Sequence, residues 1–317
     1  MMTRFQRLIK LGRTRICLIA LTLLGAWSSS ALADSEPKKL IEARLIMGFY
    51  VHSITEMASL SDIEISMNFW AKEFMTEEAR KLGIDITESR AVLFDTISDM
   101  HDAMLRGELD MVIAPPLLLA LNFKREELAD GFAGILSDNR PDTLLFVGRA
   151  DQKLRSFKDL KGKRLALPES DEFAEMYLDS LFLKEFHRPV RQLAGSIEKQ
   201  TKASRIVLDI YFNQVDAGIV YLNAYEVMAE LNPDIARQVR IIEQYPIKSR
   251  NFSFFVNGYP FAKQLSSLAT GVFKTNPRAK QILEVFKTPE LADIPVSELD
   301  AYEKFYRHYQ SLRTKIK

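Results

Sequence analysis

Cysteine is almost missing from this chain. The only one, Cys17, lies inside a basic and apolar N-terminal segment, so residues Asp34 to Lys317 offer no thiol, no disulfide and no cysteine metal ligand. Histidine is scarce too: the four histidines are scattered, and His52 has no partner at metal-ligand spacing, which excludes a histidine-built metal centre. Charge of either sign is not in excess, with 43 Lys+Arg against 42 Asp+Glu. No apolar run reaches the ~20 residues that a membrane-spanning helix needs. There is no G-x-S-x-G elbow, no G-x-x-x-x-G-K-[ST] loop and no H-E-x-x-H pair, so the familiar hydrolase, nucleotide-binding and metalloprotease signatures are excluded. Paired acids are common, but nothing in the spacing sets two of them across a pocket. No internal repeat and no low-complexity tract is present.

What is there begins with the N-terminus. Arg4, Arg7, Lys10, Arg13 and Arg15 form an acid-free basic segment, Ile16 to Trp27 is an apolar run of 12, and Ala31-Leu32-Ala33 follows three serines. A basic start, a short apolar stretch and an A-x-A site are the parts of a secretory signal peptide, here residues 1–33 with cleavage after Ala33. An uncleaved anchor is the alternative. Cys17 follows Arg15-Ile16, which is not the small-residue context of a lipid-anchor signal. Cleavage leaves 38 basic against 42 acidic residues, a formal net charge of −4, which argues against a nucleic-acid partner and suits an exported protein.

The remaining composition, 47% apolar and 27% charged, is that of a globular α/β protein. Ala43–Tyr50 reads as a strand. Ser61-x-x-Glu64 is a capping box, and Ile63, Met67, Trp70 and Phe74 recur at helical spacing toward Leu82. Residues 84–86 and 91–94 read as separate extended pieces. Asp95 or Thr96 caps a helix closed by Gly107. Leu109–Ala114 (LDMVIA) reads as a continuous buried strand, as expected when helices cover both faces of a sheet, and Pro115-Pro116 break it. Thr143–Val147 reads as a crossing into a second lobe. There, Arg164–Leu167 feeds through Pro168-Glu169-Ser170-Asp171 into a helix carrying Phe173, Met176, Tyr177 and Leu181. A short strand is expected at 191–193, a helix at 198–212, a buried strand at 216–221, and a return crossing at 239–243. The division is a first lobe over 34–147, a second over 148–240, and the return strand, the rest of the first lobe and C-terminal helices over 241–317. Two crossings without a long connector suggest a hinge.

Three stretches carry a resemblance. MLRGELDMVIAPPLLLAL (Met104–Leu121), SFKDLKGKRLALPES (Ser156–Ser170) and FNQVDAGIVYLNAYE (Phe212–Glu226) fall in order, and together they resemble the type II periplasmic binding proteins, nearest to the phosphate/phosphite/phosphonate-binding group of ABC-transporter solute receptors. The similarity runs over about residues 43–260. It implies two α/β lobes joined by two hinge strands, a ligand cleft between them, and capture of a small solute, a phosphate- or phosphonate-like oxyanion first, for an ABC permease. The family's second-lobe helix opens on a hydroxyl-rich loop that holds an oxyanion. Here that loop is Pro168-Glu169-Ser170-Asp171-Glu172, where only Ser170 keeps a hydroxyl and three carboxylates would repel a phosphonate, so the reading of a cation-bearing or neutral ligand stands beside it.

Open α/β sheets bind ligands at strand carboxyl ends. The candidate ligand-binding residues are therefore Tyr50 and His52 after the first strand, Thr96, Pro115, Ser170, Asp171, Tyr221 and Asn223. Each has a plainer reading: Tyr50 as a loop aromatic, Thr96, Ser170 and Asp171 as helix caps, Pro115 as a strand terminator, Tyr221 as core edge. Arg250 and Lys248 could bring positive charge to the cleft or be solvated. No catalytic residue, metal or cofactor is expected. The expected partners are a small-molecule ligand and an ABC permease, for a monomer in the periplasm. The alternatives are a periplasmic regulator passing occupancy to a membrane sensor kinase or cyclase, and an enzyme on the same fold.

Overall fold

The computed structural model describes residues 40–53, 60–69, 72, 75–135, 142–285 and 290–315. The expected signal peptide, and Trp70 and Phe74 of the first expected helix, lie outside the described residues.

The chain builds β1 (Ile41–Tyr50), α1 (Leu60–Phe69), α2 (Thr76–Lys81), β2 (Ile84–Phe94), α3 (Ile97–Leu105), β3 (Met111–Ala114), α4 (Pro116–Asn122) and β4 (Leu128–Ile135). It continues with β5 (Asp142–Arg149), β6 (Arg164–Pro168), α5 (Glu172–Phe186), α6 (Val190–Leu193), β7 (Ser196–Gln200), α7 (Ala203–Tyr211), β8 (Ala217–Tyr221), α8 (Leu222–Leu231), α9 (Pro233–Gln238) and β9 (Val239–Ile247). The last segment is β10 (Phe252–Val256), α10 (Ala262–Thr275), α11 (Pro277–Val285), β11 (Glu290–Ile294) and α12 (Leu299–Thr314).

Two sheets result. One runs β11-β4-β10-β3-β1-β2 and the other β7-β6-β8-β5-β9. β10 returns to the first sheet and pairs antiparallel with β3 and β4. The crossings expected at 143–147 and 239–243 fall within β5 and β9, which lie wholly in the second sheet and pair with each other antiparallel. Each sheet is packed on both faces. In β10 the alternation is direct: Phe252 and Phe254 enter one core with Ile46, Met100 and Val112, while Phe255 enters the other with Leu45, Met47 and Leu265. The second sheet repeats this, with Phe146 and Leu167 facing α5 and Val147 and Ala166 facing α7. Continuous apolar strands follow from covering both faces.

Three expectations need correction. The strand expected at 191–193 is the short helix α6, and the strand is β7, whose Ser-Ile-Glu-Lys-Gln sequence has weak strand propensity and is held by parallel pairing to β6. The helix expected from Glu198 starts only at Ala203, because Glu198–Gln200 are committed to that pairing. The two extended pieces at 84–94 are one strand that follows β1 through a register shift at Ala43/Arg44.

Gly107 closes α3 with φ +72°, a left-handed conformation that glycine adopts without strain. Gly131 is required for another reason. It sits in β4 between β10 and β11, and a Cβ there would lie 2.0 Å from the carbonyl oxygen of Ser253. That oxygen is backbone and cannot step aside. Gly131→Ala is therefore expected to destabilise the fold by about 2–3 kcal/mol in a denaturant titration, as overpacking at a fixed backbone does.

Candidate functional site

The carboxyl ends of β1, β3, β6 and β8 converge on one cleft of about 520 Å³. The first lobe contributes Val51 and His52 after β1 and Pro115–Leu118 at the head of α4. The second contributes Pro168–Phe173, Thr201, Ala203 and Tyr221. The hinge segment supplies Ile247 and Ser249–Asn251, and α12 supplies Tyr302.

The second-lobe wall explains itself from the sequence. Pro168 ends β6, and Glu169 N–H is tied to the Gln200 carbonyl at 2.9 Å, which fixes the loop against β7. Asp171 then caps α5: its Oδ1 accepts from Ala174 N–H at 2.9 Å. Its Oδ2 accepts from the Tyr221 hydroxyl at 2.6 Å, across from the end of β8. The Glu175 N–H bonds the Asp171 carbonyl as the first turn of α5. The backbone donors of Ala174 and Glu175 are thus engaged by the chain itself, the first by the Asp171 carboxylate.

Positive charge near these carboxylates is committed elsewhere. The Arg250 guanidinium lies 5.1 Å over the Tyr221 ring and pairs with Asp142 at 3.2 Å. Lys199 pairs with Glu175 at 2.6 Å. Lys248 pairs with Glu298. The electrostatic result is consistent. Burial pushes the Asp171 carboxyl above the usual range, opposed by the Tyr221 hydroxyl, the Ala174 N–H and the charges of Arg250 and Lys199. Burial pushes the Glu172 carboxyl up as well, and the Asp171 charge adds to it, while His52 on the facing lobe and Lys199 oppose it. The Tyr221 phenol is held well above its ordinary value by burial and by the Asp171 beside it.

These directions make a pH prediction. A carboxyl raised in the folded state holds its proton more tightly there than in the unfolded chain. Its contribution to stability is full below the unfolded pKa and is lost as pH rises through the folded one. Glutamine does not titrate. The stability of Glu172→Gln relative to the unsubstituted chain should therefore improve as pH rises above the ordinary glutamate range, about pH 4, and level off once the folded carboxyl has ionised, read as the difference in Tm at each pH. A difference independent of pH would contradict the assignment.

The structure brings five of the eight sequence-chosen residues to the cleft: His52, Pro115, Ser170, Asp171 and Tyr221. Tyr50 stands behind the wall, buried, with its ring edge-on to His52 at 5.3 Å. Thr96 is the exposed cap of α3, accepting from Asp99 N–H at 3.1 Å and donating to the Asp99 carboxylate at 2.7 Å. Asn223 lies in the first turn of α8, outside the cleft lining, with a buried Oδ1 that lacks a hydrogen-bond partner among the described residues. Phe173, Thr201 and Tyr302 were not foreseen as cleft residues. Phe173 and Tyr302 read as apolar positions of amphipathic helices, and nothing local in the sequence marks either as facing a cleft. Among the described residues no group of three or more His, Cys, Asp or Glu is placed to hold a metal ion, and no helix is long and apolar enough to cross a membrane.

Comparison with known proteins agrees with this geometry. Residues 71–292 match the family described as ABC transporter, phosphonate, periplasmic substrate-binding protein. No curated protein matches the chain. A Xanthomonas citri protein solved bound to ATP superposes with a TM-score of 0.63 at 16% identity, over 86% of this chain and 99% of that one. The binding-protein component of an ABC phosphonate transporter from Pseudomonas aeruginosa gives 0.60 at 12% identity, over 86% and 89%. PhnD1 from Prochlorococcus marinus, solved with methylphosphonate, gives 0.59 at 15% identity, over 83% and 97%. At these identities the likeness to solved structures is one of fold, two α/β lobes about a cleft, the type II periplasmic binding protein architecture.

Proposed function

Since the chain belongs to the family of periplasmic substrate-binding proteins of ABC phosphonate transporters, we propose that its cleft captures a small solute bearing positive charge or several proton donors and presents it to a permease. Closure of the two lobes about the connections at the start of β5 and the end of β9 would secure the solute, and the permease would read the closed form. Cleavage after Ala33 and release into the periplasm belong to the same reading.

One observation carries the charge of the solute. The head of α5 faces the cleft, and the carboxylates of Asp171 and Glu172 already occupy it. A helix N-terminus attracts anions when its N–H groups are free. Here the Ala174 and Glu175 N–H groups are satisfied from within, and both carboxylates are pushed up by burial, that of Glu172 also by the Asp171 charge. A cation or a cluster of donors entering the cleft relieves that cost. A dianion adds to it.

A thermal-shift comparison tests the proposal on Asp34–Lys317. One set of solutes is methylphosphonate, phosphate and phosphite; the other is aminomethylphosphonate, amino acids and polyamines. A solute at about 100 times its dissociation constant stabilises the protein by about 2.7 kcal/mol. Stabilisation confined to the second set supports the reading. Stabilisation confined to the first leaves capture intact and overturns the charge assignment.

A further inference from the structure

α12 belongs to the first lobe by its beginning and touches the second lobe by its end. Leu299 is fully buried in the core of the first sheet. Tyr302 packs edge-on against Phe252 of β10 at 5.8 Å. Arg125 of the first lobe pairs with Asp300 at 3.3 Å and Glu303 at 3.4 Å. Tyr302 also meets Phe173 of α5 at 5.7 Å, and beyond it the aromatic partners belong to the second lobe. Phe305 lies 5.3 Å from Phe173 and stacks on Tyr177 at 6.0 Å, both on α5 of the second lobe. The Tyr309 hydroxyl donates at 3.0 Å to Oδ2 of Asp179, whose Oδ1 accepts from Val190 N–H at 2.7 Å. Tyr309 and Asp179 are both buried, 6% and 7% exposed.

A helix rooted in one lobe and docked on the other must slide or detach when the lobes rotate apart. The docked contacts are aromatic, and they include a buried hydrogen bond to a carboxylate, a kind of contact that is expensive to break. Neither Phe305 nor Tyr309 lines the cleft. We infer that Phe305 and Tyr309 are positioning residues that form a third connection between the lobes, beside those at the start of β5 and the end of β9, and that this connection sets how far the cleft opens and hence how tightly a solute is held. A solute that closes the cleft gains affinity because the strut already favours that form.

The inference rests on the hinge reading above, and the experiment separates the two. Spin labels are placed at the exposed positions Asp102→Cys on α3 and Lys184→Cys on α5, and inter-lobe distances are measured on the solute-free chain from Asp34. The parent is expected to show mainly the short distance. Phe305→Ala adds a long-distance population, and Tyr309→Phe, which removes one hydroxyl and so spares the fold if Phe305→Ala does not, shifts the ratio toward it on the order of tenfold. Two populations whose ratio ignores Tyr309→Phe would overturn the strut and leave the hinge. One unchanged distance in parent and variants, with or without aminomethylphosphonate, would remove the hinge and the strut together.

Discussion

Asp171→Asn should weaken binding of an amine-bearing solute such as aminomethylphosphonate by about a hundredfold or more, while leaving the fold intact. Losing the charged partner of a buried ionic contact costs about 2–5 kcal/mol of binding. The substitution keeps what the fold needs. Asparagine caps helices as well as aspartate does, so the bond to Ala174 N–H survives. The buried charge it removes is one that burial disfavours, since the Asp171 carboxyl is raised in the folded protein. By the same linkage that governs Glu172, stability near neutral pH should hold or rise. Calorimetric titration beside a denaturant curve reads both. Loss of binding together with loss of stability would mean that Asp171 is a cap and nothing more.

The second large effect is structural. Arg250→Ala should cost about 2–3 kcal/mol, read from the denaturant midpoint at unchanged slope. Asp142 is 10% exposed at its side chain and pairs with Arg250 at 3.2 Å. Among the described residues, removing the arginine leaves that carboxylate with the Thr143 N–H, at 2.8 Å. It also strips the cation from the Tyr221 ring and one of the charges that oppose the rise at Asp171. Asp142→Asn in the Arg250→Ala background should recover most of the loss, because the cost lies in the unpaired charge. A double variant no better than the single one would assign the effect to lost packing instead.

The sequence was most readable where burial was complete. Leu109–Ala114 and Asp216–Tyr221 each carry one aspartate near the start and are apolar after it, and the structure places their cores, Met111–Ala114 and Ala217–Tyr221, in the middle of each sheet with every residue buried. β7 and β11 are the opposite case. Both are edge strands, their sequences Ser-Ile-Glu-Lys-Gln and Glu-Leu-Ala-Asp-Ile are polar at four and two of five positions, and what makes them strands is pairing to β6 and β4. The same division holds at the cleft. His52, Pro115, Ser170 and Tyr221 could be chosen because a strand's carboxyl end is visible in the sequence and the fold sends those ends to one place. Tyr302 could not, because its position depends on where α12 comes to rest, and that is decided by contacts with segments as far away as Phe173 and Phe252. Asp171 was legible as a cap and as a cleft residue. Its bond to Tyr221 was not, because it joins positions 50 residues apart.

The measurement that meets the central claim most directly is a paired calorimetric titration of Asp34–Lys317 at neutral pH with methylphosphonate and aminomethylphosphonate. The two solutes share the phosphonate head and differ by one ammonium group. With Asp171 and Glu172 facing the cleft and Arg250 held by Asp142, the account predicts that the amine-bearing solute binds at least tenfold more tightly, about 1.4 kcal/mol. Methylphosphonate binding as tightly, or more so, would show that the acidic head of α5 does not choose the solute.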